Sequence, residues 1–425
     1  MSGPGGPGGV DARGGAAGPD GMDARGSGGN VVGGGGPASR PRARDLGVII
    51  GRRAPGPANA ITDVPGVRVG HATIVRGDGP LVVGEGPVRT GVTVILPHDG
   101  DLFLEGLFAG WHRLNGNGEL TGTAWIDEAG LLIGPVAITN THSVGIVRDA
   151  IVARAARTHP HGPELWSLPV VGETYDGTLS DVNGFHVTAA HLDAAIDGAA
   201  SGPVPEGSVG GGTGMICHEL KGGIGTASRK LSAREGGWTV GVLVQANHGV
   251  REDLRIDGVP VGVEMPVTDV PSPYAGREGT GPGTPGAGSI VIIVATDAPL
   301  LPHQCRRVAQ RAGLGMARTG GYARNSSGDF ILAFATGNRA LGVAAGASRP
   351  TAPVVDIRMV PDDGLDGIFA GAVEATEEAI VNALLAAGTM RGVNGIEAHG
   401  LDGGRVARIM RRYGRGPEAL PTERR

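Results

Sequence analysis

Cysteine occurs only twice in this 425-residue chain, and aromatic side chains make up just 3% of it. Cys217 and Cys305 form neither a CxxC pair nor a disulfide framework, which favours a reducing, cytoplasmic setting. Cys305 falls on an apolar helical face and reads as a buried, inert thiol. No run of about 20 apolar residues exists, so no membrane span is expected. Excess positive charge is also missing: the net charge is −5 and the basic residues are scattered, which excludes a nucleic-acid surface. Glycine, by contrast, is abundant at 80 residues. Many of these sit in MSGPGGPGGVDARGGAAGPDGMDARGSGGN and its continuation to Arg44. That tail has few apolar groups to offset the entropy of ordering, so residues 1–44 read as disordered. It also lacks the basic start and apolar run of a secretory signal.

The body, 45–425, carries no repeats and reads as one domain. Strand candidates are GVTVILP (91–97), LLIGPVAIT (131–139), TVGVLVQAN (239–247), SIVIIVAT (289–296) and DFILAFAT (329–336). Several are apolar on both faces and belong in a sheet covered on each side. Helical blocks alternate with them at 146–157, 186–199, 302–317 and 365–388. In the third, Leu301, Cys305, Val308 and Ala312 make one buried stripe, and Asp297 followed by Pro299 reads as its start signal. Together these point to a layered α/β sandwich. The long segment after Asn247 has a Gly/Pro-rich second half that reads as an exposed, mobile loop.

That loop gives way to an apolar strand at Gly288–Ser289. A serine hydroxyl needs a base and a donor for the oxyanion it creates. At this junction the Gly288 carbonyl is open to attack by the Ser289 hydroxyl. An N→O acyl shift followed by hydrolysis breaks the chain there and frees the Ser289 α-amine, whose ordinary pKa is about 8. One residue then holds both nucleophile and candidate base. The bland alternative is a linker that ends in Gly-Ser. If strands 239–247 and 289–296 pair antiparallel, the Asn247 amide lies beside Ser289 as an oxyanion donor. NSSGD (325–329) places Ser326, Ser327 and Asp329 at another strand mouth, where hydroxyl and carboxylate can relay a proton. PVVGETYDG (169–177) places Glu173, Tyr175 and Asp176 at a third. There the phenol can donate to an oxyanion and the Glu173 carboxylate can hold an ammonium.

Other motifs fall away. GGGTG (210–214) and KGGIGTAS (221–228) match no phosphate loop and read as glycine turns. His159 and His161 are too isolated for a metal site, with no HExxH or CxxC in support. His248 beside Asn247 reads as a loop residue.

These segments resemble the self-processing peptidases typified by L-aminopeptidase D-amidase/D-esterase and the β-aminopeptidases. The likeness runs from about Arg44 to Tyr413, through NAITDVPGVRVGHATIV, NGNGELTGTAWIDE, AITNTHSVGIVRDA and PVVGETYDG. It is most specific over 288–338. The resemblance implies a four-layer αββα sandwich, similar to the N-terminal-nucleophile hydrolases but differently connected. It also implies cleavage at Gly288–Ser289 into 45–288 and 289–425, and a homo-oligomer such as a tetramer. Ser289 falls on the nucleophile, Asn247 on the oxyanion amide and Tyr175 on the active-site phenol. Ser327 and Asp329 fall on the supporting pair, and Glu173 on the binder of the substrate amine. The implied substrate is a small peptide, amide or ester, with no metal or organic cofactor. The chain departs from the pattern in its tail and in the length of the loop before Ser289. An acyltransferase of related architecture and an uncleaved, non-catalytic relative are the alternatives.

Overall fold

The computed structural model describes residues 40–160, 165–277, 283–339, 341–342 and 354–416. In chain order its main elements are β1 (Arg68–Arg76), β2 (Val88–Leu96), β3 (Glu105–Gly116), β4 (Val136–Asn140), α1 (Val144–Thr158), β5 (Val170–Thr174) and α2 (Ala189–Asp197). They continue with β6 (Gly223–Lys230), β7 (Thr239–Asn247), β8 (Ser289–Thr296), α3 (Pro302–Arg318), β9 (Gly328–Ala335), α4 (Asp366–Ala386) and α5 (Gly403–Arg412).

Two sheets form. One runs β1-β2-β4-β5, antiparallel except for the parallel β4/β5 pair. The other runs β3-β9-β8-β7-β6, with β8 and β9 parallel and the remaining pairs antiparallel. Side chains alternate across a strand, and β8 shows how this sets the layers. Ile290, Ile292 and Val294 pack with Val308 and Ala312 of α3 and Ile380 of α4. Val291, Ile293 and Ala295 pack the other way, against Val136, Ile138 and Val170 of the opposing sheet. The far side of that opposing sheet, through Val92, Val94 and Val171, buries Val147 and Ile151 of α1 and Leu192 of α2. Three apolar interfaces therefore separate four layers, and the fold is the expected αββα sandwich.

The helices and the central strands lie close to where periodicity puts them, but several readings change. LLIGPVAIT is not one strand. Leu131–Leu132 pairs with β3 in one sheet and Val136–Asn140 belongs to the other. Gly134, at φ +80°, sits in the crossing between them. KGGIGTAS is not a pair of turns but the start of β6. Gly225 admits α4: a Cβ there would lie 2.0 Å from the Ala379 carbonyl oxygen. Asp297 does not start α3, because its carboxylate accepts the Thr239 backbone N–H at 2.6 Å. The helix begins at Pro302, with Gln304 Oε1 accepting the Leu301 N–H at 3.1 Å.

The tail reading for residues 1–39 lies outside the described residues, while residues 40–44 are docked. Arg40 donates to the Leu385 and Leu401 carbonyls, and Arg44 pairs with Glu378 at 2.8 Å. Glu378 also meets Arg229 at 2.7 Å, and Arg229, fully buried, reaches Glu374 at 3.2 Å. This ion network ties β6 to α4.

Candidate active site

The ladder between β7 and β8 puts Asn247 directly opposite Ser289, as the antiparallel reading requires. In the parallel register on the other side, Ser289 faces Gly328. Gly288 enters this corner closely, since a Cβ there would lie 2.1 Å from the Asn247 carbonyl oxygen. The Gly288 carbonyl in turn accepts the Gly328 N–H at 3.2 Å. The Gly288 carbonyl thus has a backbone donor.

Asn247 is fixed at both ends of its amide. Oδ1 accepts the Ile216 N–H at 2.7 Å, and Nδ2 donates to the Tyr175 carbonyl at 3.1 Å. A carboxamide nitrogen carries two hydrogens, so one remains for a further acceptor. Tyr175 is half-buried, and burial, with the neighbouring Asp176 charge, raises its phenol above the usual range.

Glu173 comes from the opposing sheet, at the end of β5. Its carboxylate accepts the Glu119 N–H at 3.1 Å and the Thr141 hydroxyl. Burial pushes its pKa up, and those two hydrogen bonds oppose the shift. Ser289, Gly288, Asn247, Tyr175 and Glu173 line one cavity of about 210 Å³, joined by Asn117, Gly118, Thr141, Tyr274 and Ser326. A space of this size holds one small residue.

Ser327 and Asp329 are adjacent to this cavity without lining it. The Ser327 hydroxyl donates to Asp329 Oδ1 at 2.6 Å. Burial lifts Asp329 to about 6, against its hydrogen bonds from Ser327 and the Ile290 backbone. Strand alternation explains the separation. Asp329 shares a face with Ile331, toward α3 and α4, whereas Ser289 shares a face with Val291, between the sheets. The pair therefore lies on the other face of the sheet from the Ser289 side chain, and the backbone group it meets is that of Ile290. His248 lies just past the end of β7, in the loop as read, and is buried; its ring nitrogen meets Cys217 Sγ. Asp176 is fully buried behind the cavity, near Thr90 and Asn140, and burial pushes it up to about 7.

Thr141, Asn117 and Tyr274 were not picked out as site residues by the sequence. Thr141 directly follows β4, as Asn247 ends β7, so a strand-mouth criterion applied to AITNT would have found it. Asn117, whose amide donates to the Ser326 carbonyl at 2.7 Å, left no such signal. The loop before Ser289 contributes Gly283 and Ala287 to the cavity wall; residues 278–282 lie outside the described residues. Of the two dismissed histidines, His159 pairs with Asp101 at 2.8 Å, and His161 lies outside the described residues.

Two solved structures with this architecture are aminopeptidases. A β-aminopeptidase from Burkholderia sp. matches with a TM-score of 0.81 and 54% identity, over 88% of this chain and all of that one. The L-aminopeptidase D-Ala-esterase/amidase of Ochrobactrum anthropi, described as a variant of the Ntn-hydrolase fold, matches at 0.78 and 45%, over 89% and 100%. The class is an Ntn-type sandwich hydrolase of the aminopeptidase kind. More narrowly, the chain belongs to Peptidase family S58, whose model matches residues 59–398. Among curated proteins, a β-peptidyl aminopeptidase of Sphingosinicella microcystinivorans is 47% identical over 390 residues, 91% of this chain and 96% of that protein.

Proposed function

We propose that this protein is a self-processing serine aminopeptidase that cuts its own chain at Gly288–Ser289 and then uses Ser289 on small amino-terminal residues. The observation that carries this reading is the shared cavity. It holds the Gly288–Ser289 step, the Asn247 amide and a buried carboxylate from the opposing sheet.

In self-cleavage the Ser289 hydroxyl attacks the Gly288 carbonyl, whose oxygen already accepts the Gly328 N–H. The C–N bond breaks, the amine of Ser289 takes a proton, and water releases Gly288 as a carboxylate. The pieces 1–288 and 289–425 stay together, because β7 and β8 remain paired.

In turnover the Ser289 hydroxyl attacks the substrate carbonyl and passes its proton to the new α-amine. The spare Asn247 N–H, with the Tyr175 hydroxyl, stabilises the oxyanion. The amine protonates the leaving group, and water then hydrolyses the acyl-enzyme. Ser327 and Asp329 lie on the other face of the sheet from the Ser289 side chain, which supports the α-amine as the base. Glu173 receives the substrate ammonium, which requires a free amino terminus.

The similarity to β-peptidyl and β-aminopeptidases extends the substrate class to residues with a β-amino group. The reading includes a cytoplasmic homo-oligomer. Hydrolysis of p-nitroanilides of β-alanine, L-alanine and D-alanine by the purified protein tests it. Activity that persists unchanged in Ser289→Ala overturns the nucleophile. Transfer to an added amine in preference to water overturns the hydrolase in favour of an acyltransferase.

A further inference from the structure

Cys217 lies 31 positions before His248, and nothing in the spacing of Cys217, His218 and His248 marks a ligand set. The fold brings all three together behind Asn247. One ligand atom from each lies within 4.8 Å of the others, and all three side chains are buried. Cys217 Sγ is 3.8 Å from His248 Nδ1, and the two imidazole rings meet edge to face at 5.2 Å.

Two further observations point to a ligand. His218 Nδ1 bonds the Val250 carbonyl at 3.0 Å, which fixes the tautomer and leaves Nε2 with its lone pair. That Nε2 is buried and has no hydrogen-bond partner. A metal-bound histidine holds its outer nitrogen on a backbone carbonyl in this way. The spacing also suits a metal: Zn–S near 2.3 Å and Zn–N near 2.0 Å at a tetrahedral angle put sulfur and nitrogen about 3.5 Å apart. Closing the set onto one ion shortens separations of up to 4.8 Å by at most about 1.5 Å.

We propose that Cys217, His218 and His248 form a buried site for a thiophilic divalent cation, Zn²⁺ foremost. Sulfur and imidazole ligands select this class over Ca²⁺ or Mg²⁺, which take oxygen. Binding displaces the thiol proton. Without metal, burial holds that thiol protonated, at a pKa of about 12. The site takes no part in the serine chemistry. It is a clasp on the segment that fixes Asn247. Ile216 N–H holds the Asn247 side chain, and His218 N–H bonds the His248 carbonyl at 2.7 Å. A metal adds a third tie between the same two strand ends, 216–218 and 247–248.

The test uses the full-length protein incubated with Co²⁺ or Zn²⁺, desalted, and analysed for metal per chain and for near-ultraviolet absorption. One equivalent retained, with a thiolate-to-cobalt charge-transfer band, is the expected result. Cys217→Ala loses the band, and His218→Gln binds at least tenfold more weakly. Wild-type protein that retains no metal overturns the proposal whatever the variants do. Retention without the thiolate band, or an unchanged band in Cys217→Ala, overturns it equally. The Cys217 thiol would then simply be a donor to His248.

Discussion

Asn247 and Ser289 stand opposite each other across the β7/β8 ladder, so their side chains share the face between the two sheets. Glu173 enters that space from the opposing sheet. The register of one hairpin-like pair, and the distance between two packed sheets, thus set the geometry of the candidate site.

If the spare Asn247 N–H serves the oxyanion, Asn247→Ala lowers kcat by about 10²–10³-fold, the usual effect of removing one such donor. KM changes by only a few-fold, because the donor acts mainly in the transition state. Steady-state kinetics on a p-nitroanilide, with circular dichroism to confirm the fold, check this.

Glu173→Gln removes the charge that meets the substrate ammonium. A hydrogen bond to a charged group contributes roughly 1.5–3 kcal/mol, so kcat/KM for free-amine substrates falls about 10–150-fold. N-acetylated analogues, poor substrates for the wild type, are left unchanged. The pH profile supplies a second check. Burial raises the Glu173 pKa, so its ionised form, and with it ammonium binding, is lost at a higher pH on acidification than for an exposed carboxylate. The variant lacks that acid limb.

Asp176 should shape stability rather than turnover. Its folded pKa, about 7, exceeds the ordinary aspartate value. The folded state therefore binds more protons than the unfolded state between about pH 4 and 7. Its contribution declines as pH rises through that window. Thermal unfolding of Asp176→Asn loses this component of the slope, and the variant melts higher than wild type above pH 7.

Arg229→Met leaves Glu374 and Glu378 without their fully buried partner. Breaking a buried ion pair from one side costs about 3–5 kcal/mol. A lower urea midpoint with an unchanged slope is the expected outcome.

Much of this was legible in the sequence where a signal is local. β7 and β8 are apolar runs bounded by polar residues, and their mouths carry Asn247 and Ser289. What failed depended on the partner of a segment. The glycines of β6 look like turns until α4 is seen to press its backbone against Gly225. LLIGPVAIT looks like one strand because nothing local reveals that its halves belong to different sheets. Ser327 and Asp329 were read as a pair and are hydrogen-bonded, but their face was not legible, since it follows from the parity of β9 in a sheet not yet assembled. The Cys217, His218 and His248 cluster is wholly a product of tertiary packing.

The most direct test of the central claim is the intact mass of freshly purified protein, with amino-terminal sequencing. The account predicts two chains, the smaller beginning Ser-Ile-Val at residue 289, and a single whole chain for Ser289→Ala. An undivided wild-type chain, or a break at any other bond, contradicts it.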